Sequence, residues 1–238
     1  MESAAARKDG DPRPWRERTV RTRPLSTGEA MGHPGREDFP LLRGPEVLIE
    51  TVFEGFAGQA FSLQSGSFEG CLEEVICRPL QSDFDRAVLA STMNAVLCRL
   101  GLIGNTVHCR DDGPARCGRS LERWAADQTE RPIGLVGLQP ALLEALIRAV
   151  GREALMVSDL QCAGEERQGV RIRDGLYPSE IFEQCPLVLI TGSTLVNGTI
   201  DELLRLARGH DRRAVFYGTT IASAAHLMGW ERWCISST

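Results

Sequence analysis

LVLITGSTLVNGTIDELL, residues 187–204, decides how the rest of the chain is read. Leu187, Val188, Leu189 and Ile190 form an unbroken apolar run, the pattern of a strand covered on both faces in a parallel sheet. Thr191, Gly192, Ser193 and Thr194 then set hydroxyls and a pliable backbone at its carboxyl end. Asn197-Gly198 marks a turn and Thr199 stands where an N-cap is wanted. Asp201 and Glu202 fall in the first turn of the helix that follows, where acids complement its dipole. In open α/β sheets ligands bind outside the carboxyl ends of strands, so this loop is where a ligand is expected. Turn chemistry alone also accounts for its Gly and Asn.

The same alternation of short apolar strands and helices starts at residue 133. IGLVGLQP (133–140) reads as a strand, a glycine turn and a Pro at a helix start, with ALLEALIRAV after it. Further strands are expected at 155–158, 186–191 and 214–217, separated by helices, which implies right-handed crossovers and a parallel, doubly wound sheet. Asp159 follows Gly137 by 22 residues, about where a dinucleotide-binding unit places the acid that holds a ribose. A third glycine is missing and Pro140 stands where close approach to a pyrophosphate is needed. The architecture is Rossmann-like, but bound NAD(P) is disfavoured, and Asp159 equally reads as a turn or cap residue.

Upstream, residues 46–64 read as two strands turning at Gly55 and Gly58, and 72–76 as a third strand or a short helix. Asp83 opens a helix that stops at Gly101, with Asn94 in its middle, where Asn either bonds neighbouring backbone or faces a ligand. Another helix is expected over 118–127. Residues 1–38 are rich in Pro, Arg, Gly, Ser and Thr without apolar periodicity and read as a disordered tail. The expected units are therefore that tail, a small α+β domain over 39–129 and the parallel α/β domain over 130–238.

Composition narrows the chemistry. A net charge of −5 gives no basic footprint for nucleic acid. No apolar run approaches the roughly 20 residues that span a bilayer, and no secretory signal opens the chain, so a cytoplasmic protein is the expectation. Lys8 is the single lysine among 27 basic residues, which leaves the folded part without a Schiff-base or P-loop lysine. There is no G-x-S-x-G and no evident nucleophile–base pair. Eight cysteines scattered along the chain read as thiols or ligands rather than a disulfide framework. His108, Cys109 and Cys117 share one polar loop, HCRDDGPARC (108–117), a soft donor set suited to Zn, Ni, Fe or Cu. Their spacing matches no zinc pattern, and the alternative is that both thiols are small buried hydrophobes.

Taken together, GQAF (58–61), STMNAV (91–96), the 108–117 loop, GLVGLQP (134–140) and TGSTLVNGT (191–199) resemble the putative heavy-metal chelation family, over about residues 41–238. The resemblance implies a small enolase-N-terminal-like domain before a Rossmann-like one, with a ligand pocket at their seam. It implies pocket residues Asn94, His108, Cys109, Asp159, Thr191, Gly192, Thr194, Asn197 and Thr199. Two departures stand out: Thr219-Thr220 replaces the family's Pro, and the chain stops at Thr238 before an expected final strand and helix. The pocket's closing wall is accordingly expected to differ or to come from a second subunit in a homodimer. The expected function is binding of a transition metal, or of a metal-chelating small molecule, at the seam. The competing expectation is an enzyme acting on a small anionic metabolite with a nucleotide-type cofactor; no catalytic residue is assigned.

Overall fold

The structure is a computed structural model and describes residues 13–33, 41 and 44–238. It is a mixed α/β fold built on two sheets. The smaller sheet comprises β1 (Thr19–Pro24), β2 (Val47–Phe53), β3 (Phe56–Ser62) and β4 (Phe68–Cys71), all antiparallel, in the order β3-β2-β1-β4. A short helix, α1 (Thr27–Met31), follows β1 and is closed by a Ser26–Glu29 capping box. Glu54 and Gly55, both at positive φ, turn β2 into β3, as a two-residue hairpin loop requires. After β4 comes α2 (Leu72–Ile76), so that segment is helical rather than a third strand.

The sequence reading of 1–38 as a disordered tail fails at β1 and α1; its remainder, residues 1–12 and 34–38, lies outside the described residues. β1 pairs on both sides, and its buried face carries Val20 and Thr22. Val20 packs with Phe53, Leu72 and Val75, whereas the Thr22 hydroxyl bonds Thr51 at 2.8 Å and Thr51 bonds Ser91 at 2.6 Å. A face that alternates through hydroxyls gives no hydrophobic period to read. Arg18, just ahead of β1, is 1 % exposed; its Nη1 donates to Glu54 Oε1 at 2.6 Å, and Arg99 Nε donates to Glu54 Oε2 at 3.0 Å.

Helix α3 (Asp83–Arg99), opened by a Ser82–Asp85 capping box, lies across the small sheet. Gly58 on β3 permits this contact, because a Cβ there would stand 2.2 Å from the Ser91 carbonyl oxygen. Next comes α4 (Gly113–Asp127), longer than expected because Pro114 occupies its first turn, where no N–H partner is needed.

The second sheet comprises β5 (Ile133–Val136), β6 (Leu155–Asp159), β7 (Glu166–Arg167), β8 (Val170–Asp174), β9 (Leu187–Thr191), β10 (Arg213–Tyr217) and β11 (Glu231–Trp233). Its order is β11-β10-β9-β5-β6-β8-β7, parallel except for the β7–β8 hairpin. Strand order therefore reverses between β5 and β9, which is the switch point where α/β sheets open a crevice. One face is covered by α4 and α5 (Pro140–Val150), with Leu121, Leu142 and Leu146 against Leu135, Val157 and Leu189. The opposite face is covered by α6 (Ser179–Gln184), α8 (Ile200–Gly209) and α9 (Ala222–Met228), with Phe182, Leu203 and Ile221 against Val188, Ile190 and Phe216. Burial on both faces is what the continuous run at 187–190 requires. Each such side chain contributes roughly 1.5–3 kcal/mol of transfer free energy.

Candidate functional site

The two sheets meet along a polar seam. Asn94, on α3, is fully buried; its Nδ2 donates to Gln59 O at 3.1 Å and Thr219 O at 3.0 Å, and its Oδ1 accepts from Ser223 N at 2.8 Å. Phe61 N donates to Thr220 Oγ1 at 3.0 Å, and Arg86 Nε donates to Val196 O. Above this seam, a cleft of about 800 Å³ opens at the carboxyl ends of β5, β6, β9 and β10. That is the size of a small-molecule site.

The loop after β9 forms one wall: Thr191, Gly192, Thr194, Asn197 and Thr199 all line the cleft. Its shape differs from a plain turn, because residues 194–197 make a single helical turn, α7 (Thr194–Asn197), ended by Gly198 at φ +78°. Many of its polar groups bond within the loop. Thr194 Oγ1 donates to Thr191 O at 2.7 Å, and Asn197 Oδ1 accepts from both the N–H and the hydroxyl of Thr199. Thr199 holds the N-cap position of α8, but its hydroxyl serves Asn197 rather than the helix. Gly192 is needed because a Cβ there would lie 2.9 Å from the backbone nitrogen of Ile221.

The cleft floor is the turn after β5. Gly137 adopts φ +91°, and its carbonyl accepts from the Tyr217 hydroxyl at 2.6 Å. Asp159 holds the next residue: Oδ2 accepts from Leu138 N at 2.7 Å, while Oδ1 accepts from Gln161 N at 2.8 Å and Cys162 N at 3.0 Å. The carboxylate thus joins the β5 and β6 turns and lines the cleft while already engaged on both oxygens. Ser158, beside it, is fully buried, and its hydroxyl has no hydrogen-bond partner among the described residues.

His108 reaches the same cleft from the other unit. Its backbone N–H donates to Gln59 Oε1 at 2.7 Å, and its ring meets Phe61 edge to face at 5.3 Å. Nδ1 is enclosed without a hydrogen-bond partner among the described residues. Burial drives the imidazole down to about 4, against a weaker opposing pull from the Ala30 carbonyl, so the ring is neutral at pH 7. Glu46 also lines the cleft, where burial first and the Asp159 charge second push its carboxyl up to about 7.

Three expected site residues, the pocket candidates Asn94 and Cys109 and the metal candidate Cys117, do not line the cleft. Asn94 is the seam clamp just described. Cys109 and Cys117 face each other and the 234–238 segment instead, because consecutive side chains of the non-helical 108–109 segment project apart. Contact with Cys117 first and burial second raise the Cys109 thiol, and the contact with Cys109 lowers Cys117. The anticipated His108/Cys109/Cys117 donor set therefore does not assemble, and no group of three His, Cys, Asp or Glu among the described residues is placed to hold a metal ion. Sequence reading missed Glu46, Ser158 and Tyr217. Only Ser158 left a trace, as the hydroxyl closing an apolar strand run.

The structure is thus a mixed α/β protein with a seam cleft at the switch point of its mostly parallel sheet. Residues 122–229 match the model of the DUF364 family, described as putative heavy-metal chelation. Among solved structures it is similar to a DUF364 protein of unknown function from Desulfitobacterium hafniense, at 15% identity and TM-score 0.52, over 76% of this chain and 72% of that one. A second, from Pyrococcus horikoshii and also of unknown function, aligns at 14% identity and TM-score 0.48 over 84% and 73%. No curated protein matches. No helix among the described residues is long and apolar enough to cross a membrane.

Proposed function

We propose that this protein binds a transition metal carried by a small chelating molecule, in the cleft between an enolase-N-terminal-like unit and a Rossmann-like unit. We take these units as residues 39–129, with β1 added, and residues 130–238. The observation that carries the reading is the neutral imidazole of His108, whose enclosed Nδ1 has no hydrogen-bond partner among the described residues, in the same cleft as Asp159 and the 191–199 loop. Neutral imidazole is a common ligand for Zn, Cu, Fe and Ni. A single imidazole does not enclose a bare ion, whereas a cleft of about 800 Å³ has room for an ion that brings its own ligands.

His108 would donate to the metal through the ring nitrogen, and Ser158 and the loop hydroxyls would orient the chelator by hydrogen bonds. Glu46 would ionise as the cation arrives and so give up a proton on binding. The nucleotide-cofactor alternative has less support, because Asp159 already accepts three backbone N–H groups where a ribose hydroxyl would be needed. The cysteines, all unpaired thiols, fit the reducing cytoplasm.

Calorimetry with nickel(II) and iron(III) complexes of citrate tests this, beside the free ions, metal-free citrate and ATP. Binding of a complex well above that of the ion or citrate alone, lost in His108→Ala, is the expected result. Undiminished binding by His108→Ala, or binding of ATP in preference to every complex, would overturn it.

A further inference from the structure

The cleft is rich in acceptors and poor in donors. Backbone N–H groups that an anion would need are already taken. Gly137 N donates to Ser158 O at 2.9 Å, Leu138 N to Asp159 Oδ2 at 2.7 Å and Gly192 N to Tyr217 O at 2.8 Å. In the loop after β9, Ser193 N donates to Thr191 Oγ1 at 3.4 Å and Asn197 N to Ser193 O at 3.0 Å. Among the described residues the walls carry one arginine, Arg167, and no lysine, and Arg167 is ion-paired with Glu165. Asp83, also on the wall, is matched by Arg86 at 2.6 Å. Glu46 and Asp159 face the cleft with no ion-pair partner among the described residues.

The fold brings these two carboxyl groups to one end of the cleft. Glu46 precedes Leu48 by two residues, on the same side by strand alternation, and Leu48 belongs to the apolar cluster that includes Ala141 at the start of α5. Glu46 therefore stands by the turn after β5, whose Leu138 N–H the Asp159 carboxylate holds. Asp159 Oδ2 accepts only that one bond and keeps a free lone pair. The cleft crosses the tip of β6, so Ser158 and Asp159 both line it although they leave the strand on opposite sides. The Ser158 hydroxyl, fully buried and without a partner among the described residues, is a third acceptor.

We propose, on the reading of the cleft as a chelate site, that its Glu46–Asp159 end takes a protonated primary amine of the chelating molecule, which donates to both carboxylates and to Ser158 Oγ. An ammonium group brings three donors, one for each acceptor. It also offsets the penalty that burial and the Asp159 charge place on an ionised Glu46. A chelator bearing an amine is thereby preferred to a purely carboxylic one.

The test compares two nickel(II) chelates that differ only in a pendant amine, nitrilotriacetate and Nα,Nα-bis(carboxymethyl)-lysine, by calorimetry with the full chain near neutral pH. The amine-bearing chelate is expected to bind at least about tenfold tighter, the worth of one hydrogen bond to a charged group. Glu46→Gln is expected to bring the ratio close to one. Equal binding by the wild type, or a preference that Glu46→Gln leaves intact, would overturn the proposal. Thermal melts with metal-free pentylamine and 1-pentanol separate it from the metal reading. If neither chelate binds, the metal reading fails; stabilisation by pentylamine beyond pentanol, lost in Glu46→Gln, then upholds the ammonium site, and equal effects overturn it.

Discussion

Asn94 Oδ1 accepts from Ser223 N at 2.8 Å, a bond between residues 129 positions apart that fixes α3 of the smaller unit against the start of α9 in the larger. The same carboxamide serves two more buried carbonyl partners, so it acts as a clamp rather than as a ligand contact. Asn94→Ala strands three buried backbone groups and is expected to cost on the order of 3 kcal/mol. Urea unfolding of the variant checks this. A loss under about 0.5 kcal/mol would mean that solvent replaces the clamp.

Removing residues 1–25 is expected to abolish cooperative folding. The deletion takes out β1, which lies between β2 and β4, and with it the buried Arg18 that pairs with Glu54. A thermal melt of the truncated chain beside the full chain reads the difference directly.

Two cleft groups impose opposite pH dependences. Glu46 is raised from 4.5 to about 7, so the fold keeps a proton that the unfolded chain releases; that contribution is complete below pH 4.5 and is lost as pH rises through 7. His108 is lowered from 6.5 to about 4, so the unfolded chain takes up a proton that the fold refuses; its contribution is complete above pH 6.5 and is lost as pH falls through 4. Glu46→Gln is expected to flatten the upper side of the stability profile and His108→Gln the lower side. Urea midpoints across pH 4 to 8, roughly the span of these two transitions, show whether each slope follows its own residue.

Gly137→Ala is expected to cost about 2–4 kcal/mol and to weaken binding in the cleft. Its φ of +91° is unfavourable for alanine, and the new Cβ would lie 2.5 Å from Thr191 Cγ2. Gly28→Ala, in α1 with nothing within 4 Å of the new Cβ, is the control and is expected to be neutral or to gain up to about 1 kcal/mol.

Much of the parallel sheet was legible because its strands are apolar on both faces and its helices begin and end on Pro, Gly and acids. Less visible was β1, whose inward face carries Thr22, and so was β11, whose Glu-Arg-Trp has no strand pattern of its own. Seven of the nine pocket candidates line the cleft, most of them because a loop at the carboxyl end of a buried strand is a topological prediction. Asn94 was legible as an anomaly, but its partners at 59, 219 and 223 are set by tertiary packing. His108 and Cys109 separated for a local reason, as neighbours on an extended segment cannot both face one cavity.

The clamp also orders events during synthesis. Residues 219, 220 and 223 leave the ribosome long after α3, so the nascent smaller unit waits with the Asn94 carboxamide unmatched and its seam face uncovered. Cleft assembly therefore waits until Ser223 has emerged. A chain stalled before residue 219 would lack the partners of Asn94 and Phe61 and leave the seam open.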